Sequence, residues 1–129
     1  MIHHYDTRNG LRGPGVNSMV LDTRGFLWIG TNAGLTRFDG AHFRTFPMPS
    51  GSEGSFAYSP RMMDVDRYNR LWIATKRGLY IFDISTERFE QYDTCMISDD
   101  EFIRFVRVDQ SGNVWAASDK SQYCIYALP

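Results

Sequence analysis

A nine-residue phrase occurs three times in the sequence at nearly constant spacing. Its copies read DTRGFLWIG, DRYNRLWIA and DQSGNVWAA, and they begin at Asp22, Asp66 and Asp109. The tryptophans of the three copies are 44 and 43 residues apart, at Trp28, Trp72 and Trp115. A fixed period of this length is typical of helical HEAT and armadillo repeats, about 40–47 residues long, and of four-stranded propeller blades of about 40–45 residues.

The residues inside the phrase favour strands over helices. The apolar runs FLWI, LWI and VWA are too short for helices and are bounded by turn residues. The fourth position of each phrase is a residue that accepts a positive φ, namely Gly25, Asn69 or Gly112. The last position is small, which predicts the close approach of another backbone at Gly30, Ala74 and Ala117.

Each repeat contains four predicted strands. A strand precedes the aspartate, the tryptophan strand follows, and then come GLTRFD or GLYIFD and an outer strand, HFRTF or RFEQY. We therefore predict an all-β fold of β-propeller blades, three four-stranded antiparallel repeats of about 43 residues. The predicted single segment, 1–129, comprises an N-terminal outer strand over 2–7 and repeats over 17–46, 61–93 and 103–128. The third repeat lacks an outer strand, so the expected assembly is a partial propeller or half of a ring.

The first repeat resembles the two-component regulator propeller repeat of bacterial hybrid two-component sensors, which are frequent in gut Bacteroidetes. The resemblance lies in DTRGFLWIGTNAGLTRFDG, and the opening YDTRNGLRGPGVNSMVLD is similar to the start of the first repeat in such sensors. The second repeat keeps LWI, the glycine-leucine turn and Phe82-Asp83. The third keeps Asp109 and Trp115 but departs at SDKSQYCIY, where we expect a turn one residue longer.

This resemblance implies a function for the chain. In the family, such blades form the periplasmic sensor region, and a transmembrane helix, a histidine kinase and a response regulator follow. The ligands are typically breakdown products of polysaccharides. The resemblance thus implies a non-catalytic, ligand-recognising sensor segment of a periplasmic protein, from which the kinase and the membrane segments are absent. No signal peptide is evident, so we expect a trimmed chain or an incomplete gene.

Composition narrows the list of partners. The net charge is −1 and no basic run occurs, so nucleic acid is not an expected partner. No cofactor motif is present, and adjacent strand residues such as His3 and His4 point to opposite faces, so no cofactor or metal is expected. Free cysteines are favoured at Cys95 and Cys124, although a disulfide between them stays open.

Residues at the repeated positions are interpreted as structural. The aspartates are expected to cap turns, and the tryptophans to pack blade on blade rather than stack sugars. Function is sought where the repeats differ, in the loops at one end of the blades. The candidate ligand-binding residues there are Asn32, Tyr58, Arg61, Lys76, Arg77, Phe102 and Lys120. Plain solvated loops are the competing interpretation.

Two other functions remain open. The chain could be a fragment of a propeller enzyme, a lyase or hydrolase, or a purely structural assembly module. The three histidines, His3, His4 and His42, fall on predicted outer strands far from the channel, which disfavours an enzyme. The expected partners are further propeller blades or a second copy of the chain, and an oligosaccharide.

Overall fold

The computed structural model describes residues 2–4, 8, 10–11, 15–49, 58–92 and 101–126. Within these ranges the chain forms eleven strands and no α-helix. The strands make two four-stranded sheets and one three-stranded sheet, in which strands adjacent in sequence are neighbours in the sheet. All the pairs are antiparallel. The predicted all-β class and the blade-like repeat are confirmed.

The sheets are called blades 1, 2 and 3. The strands of blade 1 are β1 (Val16–Leu21), β2 (Leu27–Thr31), β3 (Gly34–Phe38) and β4 (Phe43–Phe46). Those of blade 2 are β5 (Met62–Val65), β6 (Arg70–Thr75), β7 (Gly78–Asp83) and β8 (Arg88–Tyr92). Those of blade 3 are β9 (Ile103–Val108), β10 (Asn113–Ser118) and β11 (Gln122–Tyr126).

The N-terminal strand predicted over 2–7 is not formed at its first three residues. Ile2, His3 and His4 are outside any strand, and residues 5–7 are outside the described residues. Cys95 also lies outside the described residues. Cys124 lies in β11 as an exposed free thiol.

The hydrophobic core lies between the blades. One cluster joins Trp28, Leu35 and Phe46 of blade 1 to apolar side chains of blade 2 that include Ile73 and Phe82. A second cluster carries the same pattern one step further along the chain. It joins blade 2 to blade 3 through Trp72, Ala74, Leu79, Ile81, Ile103, Val106, Val114, Ala116 and Ile125. Each blade is thus stabilised mainly by its neighbour, as in other repeat proteins.

One local prediction is met in all three phrases, and a second is met at Gly30. The fourth residue of each phrase has a positive φ, of 89° at Gly25, 64° at Asn69 and 88° at Gly112. At Gly30, an added Cβ would lie 2.8 Å from the Pro60 carbonyl oxygen, so the small residue admits the segment that enters blade 2.

The turn between β10 and β11 has the same length as its counterparts, so the predicted extra residue is wrong. Ala117 pairs with Gln122 as Gly30 pairs with Leu35, and the Ser118 amide donates to the Ser121 carbonyl at 2.9 Å. In blades 1 and 2, Thr31 and Thr75 use Oγ1 to bond both the glycine carbonyl and a turn amide. In blade 3, the Ser118 hydroxyl accepts the amides of Lys120 and Ser121 at 3.1 and 3.2 Å. The glycine-free turn therefore keeps a side-chain cap of the same kind.

Candidate functional site

The aspartate that opens each phrase holds the tryptophan of the same phrase. Trp Nε1 donates to Asp Oδ2 at 2.9 Å in blade 1, 2.8 Å in blade 2 and 2.9 Å in blade 3. The other carboxylate oxygen accepts two turn amides, as Asp66 Oδ1 does from Tyr68 and Arg70 at 2.8 and 3.1 Å. Sequence reasoning expected the turn contacts but missed the indole. The constant six-residue separation of aspartate and tryptophan was the available signal.

The three tryptophans differ in what covers them. Trp28 and Trp72 are 0% and 2% exposed, because the next blade packs on each. Trp115 is 43% exposed, because no described residue forms a sheet against that face of blade 3. The predicted burial is therefore wrong for Trp115. The hydrogen bond from Trp115, with the backbone amide of Asn113, lowers the pKa of Asp109.

Three cationic side chains surround one aromatic ring at the seam between blades 2 and 3. The Arg104 guanidinium carbon lies 4.2 Å from the Phe102 ring centroid. The Arg61 guanidinium carbon and Lys76 Nζ each lie 5.8 Å from the same centroid. We call these four residues the Phe102 cluster. Such contacts stabilise cations by about 0.5–1 kcal/mol each at exposed sites.

The elements that carry the Phe102 cluster end at the same side of the blades. Arg61 precedes β5, and Lys76 occupies the turn from β6 to β7. Phe102 precedes β9, and Arg104 is its second residue. In an antiparallel meander, the start of the first strand and the turn between the second and third strands lie at one end of the sheet. The cluster therefore sits among the loops where the repeats differ.

Asp119 fixes one of the three cations. Its carboxylate accepts Arg104 Nε and, at 3.2 Å, Arg104 Nη2, and this side-chain hydrogen bonding raises the pKa of Arg104. Nearby, the Tyr123 hydroxyl donates to Glu101 Oε2 at 2.8 Å, which raises the pKa of Tyr123. Within the described ranges, Arg61 and Lys76 form no ion pair.

The structure brings together three of the seven candidate residues, Arg61, Lys76 and Phe102. Sequence reasoning missed Arg104, although it lies 43 residues after Arg61, at the same repeat position. The Phe102 ring faces the cations. The candidate Tyr58 lies at the other seam, where its ring centroid is 6.5 Å from that of Tyr80.

The remaining three candidates stand apart from this cluster. The Asn32 side chain accepts Asn17 Nδ2 at 3.3 Å beside blade 1. Arg77 and Lys120 are exposed turn residues whose backbone amides donate to the hydroxyl oxygens of Thr75 and Ser118. Within the described ranges, no group of three or more His, Cys, Asp or Glu side chains is placed to hold a metal. No helix formed by these residues is long and apolar enough to cross a membrane.

Comparison with known proteins finds similarity to the propeller domains of two-component sensors. Residues 10–33 match the family model described as two component regulator propeller. No curated protein matches the sequence. The chain is similar to the extracellular domain of a protein described as a hybrid two-component system of B. thetaiotaomicron. The identity is 26% and the TM-score 0.72, over 89% of this chain and 17% of that one.

Two further solved structures share the fold. The extracellular domain of a second B. thetaiotaomicron hybrid two-component system is 24% identical, with a TM-score of 0.79 over 95% of this chain and 17% of that one. Virginiamycin B lyase from Staphylococcus aureus is 13% identical, with a TM-score of 0.65 over 89% of this chain and 42% of that one. The chain spans about a sixth of the sensor domains it resembles. The propeller fold and the resemblance to two-component regulator propellers are confirmed.

Proposed function

We propose that this chain is a non-catalytic segment of the periplasmic sensor region of a two-component signalling protein. The observation that carries the proposal is the 26% identity to the extracellular domain of such a system over 89% of the chain. The match of residues 10–33 to the two component regulator propeller supports it independently. The face of blade 3 that carries Trp115 is open. In this proposal, further blades or a second copy of the chain pack on that face and continue the propeller.

The task of the segment in this proposal is ligand recognition at the loop end of the blades. Propellers bind at this end because the loops vary while the sheets hold them rigidly. In the Phe102 cluster, side chains of two blades converge around one aromatic ring, as a recognition site requires. The proposed ligand is an oligosaccharide released from a polysaccharide.

The similarity to a lyase structure does not support an enzymatic function for this chain. At 13% identity the likeness concerns the fold alone, and the same fold carries many functions. An enzyme would need an acid, a base or a metal gathered at one point. The Phe102 cluster instead gathers two arginines and a lysine around an aromatic ring, and no carboxylate or imidazole is among its members.

Calorimetry with the purified chain tests this function. The expected result is saturable heat with at least one oligosaccharide in a panel of neutral and acidic polysaccharide fragments. A parallel chromatographic assay is expected to recover every oligosaccharide intact. Cleaved products would contradict the non-catalytic assignment, and a panel without any binding would contradict ligand recognition by this segment.

A further inference from the structure

We infer that the Phe102 cluster is an anion site and that the ligand is an acidic oligosaccharide, one bearing carboxylate or sulfate groups. This inference rests on the proposed function and narrows it. Neutral fragments of the same size are expected to bind poorly.

The first argument is local charge. Arg61, Lys76 and Arg104 gather around one ring, and among the described residues only Asp119 pairs with any of them. The whole chain has a net charge of −1, so this concentration of positive charge is a local feature. Like charges held close together repel, and an anion placed between them relieves that repulsion.

The second argument is the availability of donors. Asp119 engages Nε and Nη2 of Arg104 and so orients its guanidinium against the ring. Arg61 and Lys76 are exposed, and no described carboxylate pairs with their charged groups. A guanidinium presents a planar pair of N–H groups that matches a carboxylate or sulfate, and an ammonium adds a point charge.

The third argument is the position of the cluster across a seam. Arg61 and Lys76 belong to blade 2, whereas Phe102 and Arg104 belong to blade 3. The two blades are already joined by Asp64, whose Oδ2 accepts the Val108 amide at 2.8 Å. The strands that carry the cations are therefore held next to each other. Because cations already cover the Phe102 ring, the site binds the acidic group of a sugar, and the sugar ring does not stack on Phe102.

The test compares trigalacturonate with neutral galactotriose, which has the same length, by calorimetry on the purified chain. Trigalacturonate is expected to bind at least tenfold more tightly than galactotriose, and the difference should shrink with added salt. Arg61→Gln and Lys76→Gln should each weaken trigalacturonate binding about tenfold, because each removes a charged donor.

Arg88→Gln is the matched control. Arg88 is exposed, carries the same charge and begins β8, at the opposite end of blade 2. It should leave the affinity unchanged. Tryptophan fluorescence of each variant verifies that the blades remain folded. Competition with sodium sulfate distinguishes an acidic sugar from a small inorganic anion as the ligand. If sulfate displaces trigalacturonate at a concentration similar to that of the sugar, the site binds small inorganic anions and the acidic-sugar assignment is overturned.

The remaining outcomes separate this inference from the proposed function. Equal affinity for galactotriose and trigalacturonate, or full affinity in Arg61→Gln and Lys76→Gln, would overturn the anion site while leaving ligand recognition intact. If no oligosaccharide binds, the proposed recognition function fails and the anion site fails with it.

Discussion

Trp72 and Trp115 occupy the same position in neighbouring blades and make the same hydrogen bond. Trp72 Nε1 donates to Asp66 at 2.8 Å, and Trp115 Nε1 donates to Asp109 at 2.9 Å. They differ in that blade 3 covers Trp72, which is 2% exposed, while Trp115 is 43% exposed. The comparison shows that the repeated phrase builds the same local unit each time, and that only a neighbouring blade turns this unit into a core.

The free face of blade 1 is the counterpart of the open face of blade 3. Met19 and Leu21 are each 61% exposed, whereas Met63 and Val106, at the register of Met19 in blades 2 and 3, are buried. The side chains at this register cover the tryptophan of the preceding blade. The face of blade 1 is therefore ready to cover a tryptophan such as Trp115. This complementarity supports the proposal that further blades or a second copy are the partners.

Truncating the two tryptophans is the strongest test of the comparison. We expect Trp72→Ala to lower the free energy of unfolding by about 3–5 kcal/mol, because a large buried aromatic leaves a cavity. Trp115→Ala should cost roughly 1–2 kcal/mol, because only part of its side chain is buried. Urea titrations measure both values. Equal losses would mean that Trp115 is covered in solution, by a second copy of the chain.

Removing the carboxylates tests the hydrogen-bonded unit beneath each tryptophan. Asp66→Ala should cost about 2–3 kcal/mol, because it leaves the buried indole donor of Trp72 and the half-buried guanidinium donor of Arg70 without their acceptor. Asp109→Ala should cost less, since water reaches the donors that it leaves. A larger loss at Asp109 in the same titration would refute the view that burial separates the two units.

Lowering the pH should weaken the unit of blade 3. The Trp115 indole, with the amide of Asn113, lowers the pKa of Asp109 below 3.8 in the folded state. A lowered folded-state pKa means that the carboxylate contributes stability above pH 3.8, and that this contribution is lost as the pH falls through the folded value. The pH dependence of the urea midpoint should therefore flatten in this region for Asp109→Asn. An unchanged slope would argue against the lowered pKa.

The smallest expected effect concerns fluorescence. Acrylamide should quench Trp115 readily and leave Trp28 and Trp72 nearly unquenched. Trp115→Phe should therefore remove most of the fluorescence that acrylamide quenches. Trp72→Phe should instead remove fluorescence from a buried indole, which acrylamide does not quench. Loss of quenching in the unaltered chain at high protein concentration would reveal association through the face that carries Trp115.

The sequence determined most of the local structure. The period of 44 and 43 residues, the short apolar runs and the residues with positive φ predicted the strands and their turns. The extra turn residue predicted at SDKSQYCIY is not present, because the Ser118 hydroxyl caps a turn of the same length as those capped by Thr31 and Thr75. These features depend on backbone conformation over a few residues, which side-chain chemistry at each position decides.

Only the tertiary structure decided which side chains meet. The exposure of Trp115 depends on whether another blade lies beside it, and its own strand is the same as that of Trp72 in either case. The Phe102 cluster brings together Arg61 and Arg104, which belong to different repeats. Nothing in the sequence shows that both guanidinium groups lie near the same ring. Such contacts follow from the angle and distance between sheets, because packing of large side chains across a seam has no local counterpart in the chain.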